Sequence, residues 1–379
     1  MKVTRGYKTE LDLNNKQLTL CLKHAGAARW AYNWGLRRYQ EEYQAGRKTP
    51  HAISLHKELN ILKRTEIPWM YDVSKCAAQE ALRDLEKAFK RFFENCHKKK
   101  AGTFKGKVGY PRFKSKKRGI GSFRLTGSIH VYEKSIKLPR LGVLRLKEKN
   151  YLPTSRVHIL SATVSEKAGR WFVSLQVEQE IADPVKAIGP IIGVDLGIKT
   201  LAMLSNGKPF ENPKALSKNL KKLRRLSRRH SRKKRDGKNR EKSRRNLARL
   251  HAHIATIRQD AIHKTTSAIV AKTKHESERY SRIGIEDLNV KGMMKNRKLS
   301  RVVGDVGMHE FKRQITYKAK QSGSLITEVN RWEPTSKICS CCEWVNEELT
   351  LKDRVFVCIE CGYVADRDYN AAKNIAKLA

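Results

Sequence analysis

The segment from 191 to 197 (IIGVDLG) is the feature that most restricts how this chain can fold. Its run of apolar residues predicts a buried strand, and that strand leads directly into Asp195. An unpaired carboxylate inside a core costs several kcal/mol, so Asp195 must border an open cleft or meet a cation. A strand-end aspartate in a turn is the ordinary alternative, and this segment alone does not exclude it.

Two later segments also place a carboxylate at the end of an element. Residues 283–288 (IGIEDL) predict another buried strand, which ends at Glu286. Residues 366–375 (DRDYNAAKNI) predict the start of a helix, where Asp366 or Asp368 could act simply as the N-cap. The sequence therefore contains three acidic element ends that are far apart along the chain.

A mixed sheet of the ribonuclease H type brings such ends together, because its three antiparallel strands are followed by alternating helices and parallel strands. Residues 200–204 predict the second strand, and a turn at 205–208 (SNGK) leads toward the third. Carboxylate oxygens on separate elements suit Mg²⁺. Two such ions about 4 Å apart can activate a water and stabilise the leaving oxygen of a phosphodiester.

Four cysteines near the C-terminus have the spacing of a metal site. Cys339 and Cys342 form one C-x-x-C pair, and Cys358 and Cys361 form a second pair after 15 intervening residues. This pattern predicts two knuckles that hold one tetrahedral zinc in a structural role, since four thiolates leave no open position for a substrate. Cys341 lies inside the first pair but lacks the two-residue spacing to Cys342.

The charge of the chain indicates a polyanionic partner. Lysine and arginine number 81 against 37 aspartates and glutamates, which gives a net charge of +44. Residues 218–245 carry 16 of these cations, at the tip of a predicted helical hairpin over 214–262. Folding does not require such self-repulsion, whereas a nucleic acid would neutralise it.

A basic membrane-binding protein is the competing interpretation of this charge. Against it, no apolar run approaches 18 residues, and the first residues lack the apolar core of a signal peptide. We therefore expect an intracellular, cytoplasmic protein without a membrane partner and with reduced thiols.

The first half of the chain predicts a helical part inserted into a strand-rich part. Residues 2–10 alternate as one short strand, and three helical patterns follow, the last over 74–96. Lys75 and Gln79 lie one turn apart beside the apolar stripe of that helix, where solvated surface is the ordinary interpretation. Between 122 and 180 the period changes to two, with a hairpin around Ala168-Gly169, which predicts a small β-barrel or sandwich.

Residues 98–118 (KKKAGTFKGKVGYPRFKSKKR) combine lysines and glycines with interspersed aromatic residues. Positive charge binds phosphates and aromatic faces stack on bases, so this loop is a candidate nucleic-acid-binding segment. The candidate contacts are Tyr110, Arg112, Phe113 and Lys114. A flexible solvated loop is the alternative.

Together these motifs resemble the transposon-encoded TnpB proteins, the presumed ancestors of the type V CRISPR nucleases. The resemblance rests on GVDLG (193–197), GIEDL (284–288), the double C-x-x-C and DRDYNAAKNI, supported by AYNWGL (31–36) and GYPRFKSKK (109–117). It covers nearly the whole chain. It implies a multidomain fold of α/β plus β-barrel class, in which a wedge β-barrel is interrupted by a helical recognition domain. An RNase H-like, RuvC-like nuclease domain with a zinc-binding insertion follows.

By this resemblance the domains have defined bounds. The wedge domain would comprise residues 1–13 and 119–183, and the helical recognition domain 14–118. The RuvC-like domain would comprise 184–335 and 364–379, with the zinc-binding insertion at 336–363.

The resemblance also implies a function. The chain would be an RNA-guided, Mg²⁺-dependent DNA endonuclease that uses a guide RNA from the transposon end and cuts double-stranded target DNA beside a short flanking motif. It would act as a monomer in a prokaryotic cell, associated with the nucleoid when bound to DNA. Asp195, Glu286 and Asp368 match the three catalytic, Mg²⁺-holding positions, with Asp366 as the alternative third acid. Lys75 and Gln79 become candidate contacts to the flanking motif.

Two other functions share part of this evidence. An RNA-guided or zinc-dependent DNA-binding regulator with a vestigial nuclease would share the basic charge, but all three acids are intact. A transposase or resolvase that acts without RNA would share the acids and the charge, but it would not need the helical and strand-rich parts in front.

Overall fold

The computed structural model describes residues 2–155, 157–271, 275–350 and 352–379. The chain separates into two compact units, residues 1–182 and 183–379. Among the described helices, none combines the length and apolar character that a membrane span requires.

The helices of the first unit start at polar caps. They are α1 (Asn15–Gln44), α2 (Ala52–Thr65) and α3 (Lys75–Lys100), with short 3₁₀ turns at Pro68–Asp72 and Lys116–Arg118. Asn14 and Gln17 form a reciprocal capping box at the start of α1, and the Ser74 hydroxyl accepts from the Cys76 amide at the start of α3. Gly35 lets α1 approach α3, since a Cβ there would lie 2.7 Å from Leu82.

Strands from both ends of the first unit form one antiparallel sheet. In the described residues it contains β1 (Lys2–Asp12), β2 (Ser122–Leu125), β3 (His130–Val131), β4 (Ser135–Leu138), β5 (Gly142–Leu146), β6 (His158–Lys167) and β7 (Arg170–Glu180), in the order β2-β6-β7-β1-β5-β4-β3. The predicted hairpin around Ala168-Gly169 is present between β6 and β7. Because β1 lies between β5 and β7, the strands enclose the helical insertion in sequence, and helices and sheet share one core.

The sheet of the second unit is the predicted mixed sheet. Its described strands are β8 (Gly189–Asp195), β9 (Thr200–Leu204), β10 (Pro209–Glu211), β11 (Tyr280–Glu286) and β12 (Leu325–Val329). The order is β10-β9-β8-β11-β12, with β8 to β10 antiparallel and β8, β11 and β12 parallel. Apolar residues of β8 and β11 fill its core, including Ile192, Val194, Ile283 and Ile285.

Helices and a small strand pair complete the second unit. They are α4 (Ala215–Ser231), α5 (Lys238–Val270), α6 (Val290–Lys295), α7 (Ser300–Val306), α8 (Met308–Ser322) and α9 (Arg367–Leu378), with a 3₁₀ turn at Glu276–Glu278 and the antiparallel strands β13 (Val355–Val357) and β14 (Val364–Asp366). The predicted helical hairpin is the pair α4 and α5, and α5 continues beyond the predicted end at 262.

A buried carboxylate fixes the base of this hairpin. Asp305 of α7 accepts hydrogen bonds from the Leu216 and Ser217 amides in the first turn of α4. It also pairs with the Arg258 guanidinium of α5 at 2.9 Å. The negative charge therefore stabilises the N-terminus of α4 and ties both helices of the hairpin to α7.

Candidate active site

Asp195 and Glu286 end neighbouring parallel strands. Val194 of β8 is paired with Ile285 of β11, so the following residues, Asp195 and Glu286, lie side by side where the two strands end. Both side chains are half-buried, whereas the apolar residues before them are buried. The carboxyl ends of parallel strands are the usual position for ligand-binding residues in α/β sheets.

Two glycines bring the third acid to this edge. Gly193 and Gly284 are register partners in β8 and β11, and α9 packs directly over them. A Cβ on Gly193 would overlap the Ala372 carbonyl and lie 2.5 Å from the Ala376 amide, and a Cβ on Gly284 would lie 2.8 Å from the Ile375 carbonyl. The two glycines therefore allow the backbone of α9 to pack directly against the sheet.

The start of α9 separates the roles of Asp366 and Asp368. Asp366 is the N-cap, and its Oδ1 accepts from the Asp368 amide at 2.9 Å and the Tyr369 amide at 3.2 Å. Asp368 lies inside the first turn and directs its carboxylate toward Gly197, where Oδ2 is 3.8 Å from the position of a Cβ. Asp366 thus fulfils the capping role that the sequence left open for either residue.

The acids affect one another electrostatically. Burial raises the pKa of Asp195 well above its usual range, and the charges of Glu286 and Asp368 raise it further. Burial and Asp366 raise the pKa of Asp368, while Arg354, Arg367 and Lys199 oppose this rise. The site therefore concentrates more negative charge than the surrounding cations neutralise. A divalent cation held by carboxylate oxygens would offset this repulsion.

Asp287 does not join this cluster although it follows Glu286 directly. A hydrogen bond from Arg331 and another from Lys312 lower the pKa of Asp287, and Lys312 also pairs with Glu328 at 2.8 Å. Glu286 has a different partner, the Thr335 hydroxyl, which donates to its Oε1. The two adjacent acids are therefore held by separate sets of residues, and no sequence pattern predicts the role of Thr335.

The four cysteines gather into one group. The Sγ atoms of Cys339, Cys342, Cys358 and Cys361 all lie within 4.8 Å of one another, and this is the one group of its kind found in the described residues. Cys341 is exposed and stands apart, with its amide donating to the Cys339 sulfur. Burial opposes ionisation of Cys339, but the amides of Cys342 and Cys341 outweigh it, and the pKa falls to about 7. Four close sulfurs suit a tetrahedral metal ion.

Two buried asparagines join α9 to the segment that leads into these cysteines. The Asn370 side chain donates to the Ile338 carbonyl at 2.7 Å and accepts from the Ser340 amide at 2.9 Å. Asn374 donates to the Thr335 and Ile338 carbonyls. Both asparagines of the DRDYNAAKNI segment therefore hold α9 against the backbone between Thr335 and Ser340.

Lys75 and Gln79 lie at the start of α3 in the first unit. Lys75 is its first residue and is exposed, and Gln79 is half-buried one turn later. Lys75 lines a cavity of about 540 Å³ together with Asn60 and Lys63. Of these two lysines, Lys63 is buried and Lys75 is accessible.

The candidate contacts in the loop divide into two pairs. The Tyr110 ring packs edge-on against Phe89 and Phe92 of α3, and the Lys114 ammonium lies 3.8 Å from the centre of the Tyr32 ring. Burial of that ammonium lowers the pKa of Lys114. Both side chains therefore anchor the loop to the helices.

Arg112 and Phe113 are exposed and line a cavity of about 680 Å³, together with Lys114, Arg29 and Arg124. Their side chains remain accessible to a ligand.

Comparisons with known protein families cover most of the chain. Residues 162–297 match a family described as "Probable transposase" (OrfB_IS605), residues 309–375 match "Cas12f1-like, TNB domain", and residues 1–48 match "Helix-turn-helix domain". In this structure residues 2–44 comprise one strand and one long helix.

Similar proteins extend over nearly the whole sequence. "Putative RNA-guided DNA endonuclease InsQ" of Escherichia coli (strain K12) is 33% identical over 99% of this chain and 92% of its own length. A "Putative RNA-guided DNA endonuclease" of Streptomyces pristinaespiralis is 32% identical over 99% of this chain and 89% of its own length. A solved Cas12f1–sgRNA–target DNA complex aligns over 99% of both chains at 19% identity, with a TM-score of 0.37.

Proposed function

The chain belongs to the TnpB family, and from that premise we propose that it is an RNA-guided endonuclease that cuts DNA beside a short flanking motif. The observation that carries the proposal is that Asp195 and Glu286 end neighbouring parallel strands, while α9 packs over the same strands and directs Asp368 toward Gly197. A chain of net charge +44 has no structural reason to concentrate acids, whereas a nuclease that holds cations there does.

We assign Asp195, Glu286 and Asp368 as the residues that hold two Mg²⁺ ions in a RuvC-like centre. When bound, Mg²⁺ supplies an activated water and stabilises charge on the departing oxygen of the phosphodiester. Thr335 orients Glu286 through its hydrogen bond. Asp366 fixes the first turn of α9, from which Asp368 extends.

The cations near the acids form two groups, one that neutralises Asp287 and one that is exposed near Asp368. Arg331 and Lys312 neutralise Asp287, which keeps that carboxylate out of the centre. Lys199 and Arg354 are exposed and act electrostatically on Asp368, so they are suited to binding the phosphates of an approaching strand.

We propose that Cys339, Cys342, Cys358 and Cys361 hold a structural zinc ion. Support comes from the mutual proximity of their sulfurs and from the buried positions of Cys339 and Cys358. Asn370 and Asn374 connect the neighbouring backbone to α9. The zinc would therefore stabilise the segment that also carries Thr335 and supports Asp368.

We propose that the chain consists of a wedge domain, a helical recognition domain and a nuclease domain with a zinc-binding insertion. Residues 1–13 and 119–183 would form the wedge domain, which is supported by the pairing of β1 with β5 and β7. Residues 14–118 would form the helical recognition domain. The nuclease domain would comprise 184–335 and 364–379, with the zinc-binding insertion at 336–363.

Several basic surfaces are suited to the guide RNA and the target DNA. One face of α4 forms a groove of about 800 Å³ whose cations recur at helical spacing, namely Lys221, Arg224, Arg225, Arg228, Arg229 and Arg232. In the first unit, Arg112 and Phe113 offer a charge and an aromatic face, and Lys75 and Gln79 offer polar contacts to the flanking motif. Base pairing with the guide would read the target sequence, while these surfaces hold the backbone.

Purification with its nucleic acid tests the proposal directly. We expect a discrete RNA of uniform length to copurify, and its sequence identifies the guide segment. The complex is then incubated in Mg²⁺ with a plasmid library that carries a matching target beside randomised sequence. Depletion of a few short flanking motifs supports the proposal. RNA-free protein that cuts DNA would identify a transposase or resolvase instead, and guided binding without cutting would identify a regulator.

A further inference from the structure

The turn from 330 to 335 lies at the same sheet edge as the carboxylates. It follows β12, whose last residue, Val329, is the register partner of Glu286. Arg331 donates to Asp287, and Thr335 donates to Glu286, so both ends of the turn are attached to adjacent acids of β11. Within the turn, the Trp332 amide donates to Asn330 Oδ1 at 3.2 Å. The backbone of the turn is therefore held in place.

Trp332 projects from this turn into solvent. Its side chain is 84% exposed, the largest exposed fraction among the described large apolar residues. The other tryptophans of the chain all make packing contacts: Trp30 lies against Trp34 and Trp69, Trp171 is buried, and Trp344 packs beside the cysteines. An exposed apolar side chain alone is unremarkable in a folded protein. An exposed indole on a turn whose two ends are hydrogen-bonded to Asp287 and Glu286 is a more specific arrangement.

We propose that Trp332 stacks on a nucleobase of the DNA strand that is cut, next to the scissile phosphate. This inference rests on the proposed function and adds a substrate-binding residue to it. Every base has a π-face, so stacking holds a strand without reading its sequence, as expected where guide pairing already reads it. Arg331 cannot replace Trp332 in this role, because its guanidinium is engaged by Asp287.

The neighbouring charges favour a nucleic acid over a protein partner. Lys199 and Arg354 are exposed and act on Asp368, so they would attract the phosphates of the same strand. Trp332 would hold a base of the strand by stacking, and these cations would hold its phosphates. Such a combination of aromatic and cationic contacts is typical of proteins that bind single strands.

The first experiment measures cleavage of a matched target by the guide-loaded complex in Mg²⁺. We expect Trp332→Ala to raise the KM for DNA about tenfold, the scale of one lost base stack. Trp332→Phe should recover most of this loss, because phenylalanine retains an aromatic face. Ile359→Ala is the matched control, since Ile359 is 76% exposed in the same unit and should leave the KM unchanged.

The second experiment identifies the contact itself. After the cut position is mapped, a single abasic site is moved through both DNA strands around it. In the wild-type protein, one abasic position should lower kcat/KM about tenfold. In the Trp332→Ala variant, an abasic site at that position should not lower kcat/KM further, because the base and the indole form one interaction.

The outcomes separate this inference from the proposed function. Suppose that the wild type performs guided cleavage, but that the effect of Trp332→Ala on kcat/KM adds to the effect of the abasic site at every position. This result overturns the stacking contact alone. Equal cleavage kinetics of Trp332→Ala and the wild type also overturns the stacking contact. If Trp332→Ala cleaves normally but no longer binds another protein, Trp332 is a protein-docking residue instead. Absence of guided cleavage by the wild type overturns both proposals.

Discussion

Asp195 at the end of β8 lies beside Glu286 at the end of the neighbouring parallel strand β11. Burial raises the pKa of Asp195, and the charges of Glu286 and Asp368 raise it further. The protein thus holds acids together at a cost in folding stability, which is characteristic of a site built for function.

Replacing Asp195 should therefore stabilise the metal-free protein. We expect Asp195→Asn to raise the free energy of unfolding by about 1 kcal/mol at neutral pH, because a charge that is repelled in the fold is removed. The same variant should lose DNA cleavage while retaining guide RNA and guided DNA binding. Thermal unfolding in a chelator checks the first effect, and Ile188→Val is the neutral control because Ile188 is 68% exposed in the same unit. A lower unfolding temperature, or persistent cleavage, would contradict the assignment.

The stability of the metal-free protein should also depend on pH in a defined direction. The pKa of Asp195 is raised in the fold, so the folded state binds more protons than the unfolded state above the usual range of an aspartate. Its contribution to stability is present at acidic pH and is lost as the pH rises through the raised pKa. Denaturant unfolding is measured for the wild type and Asp195→Asn at several pH values. The free energy of unfolding should decrease less with rising pH in the variant than in the wild type. Parallel curves would argue against this effect of Asp195.

The two aspartates at the start of α9 should respond differently to substitution. Asp366→Ala removes the N-cap and should cost about 1 kcal/mol of stability without abolishing cleavage. Asp366→Asn retains a capping side chain and should be nearly neutral. Asp368→Asn should abolish cleavage with little loss of stability. If Asp366→Asn eliminated cleavage and Asp368→Asn did not, the two roles would have to be exchanged.

A methyl group at position 193 should disrupt the packing of α9 against the sheet. Gly193→Ala places a carbon against the backbone of Ala372 and Ala376, neither of which can move without displacing the helix. We expect a loss of about 3 kcal/mol or more, measured by denaturant unfolding, together with loss of cleavage. Gly304→Ala in α7 is the control, because its Cβ would make only ordinary contact with Met294 of α6. Equal stability of the two variants would be inconsistent with this packing.

The cysteines provide a matched pair of substitutions. Cys339→Ser should reduce zinc content and destabilise the second unit, since metal binding free energy contributes to folding. Cys341→Ser should leave zinc content and unfolding temperature near wild type, because Cys341 lies outside the group of four sulfurs. Elemental analysis and thermal unfolding with and without chelator measure both effects. Loss of zinc from the Cys341 variant would show that the ligands had been misassigned.

Local patterns in the sequence predicted the elements that carry the site. The apolar runs before Asp195 and Glu286 predicted β8 and β11, and the predicted mixed sheet of antiparallel and parallel strands is present. The spacing of the cysteines separated Cys341 from its four neighbours, as the structure also does. These features depend on residues close together in the chain, so their patterns are visible without the fold.

Contacts between distant polar residues were not predictable in this way. The hydrogen bond from Thr335 to Glu286 and the engagement of Asp287 by Arg331 and Lys312 join elements far apart in sequence. Spacing alone also left Asp366 and Asp368 equivalent as caps. The hydrogen bonds at the start of α9 distinguish them, because Asp366 accepts the capping amides while Asp368 extends toward Gly197.

The seating of α9 on Gly193 and Gly284 also gives the chain an order of assembly during synthesis. The strands that carry Asp195 and Glu286 leave the ribosome well before α9, and the basic hairpin and the cysteine segment are made before it as well. A nascent chain can therefore expose its nucleic-acid-binding surfaces before it has all three acids. The last of the acids arrives with the helix that docks last, so the surfaces that hold nucleic acid would be complete before the centre that cuts it.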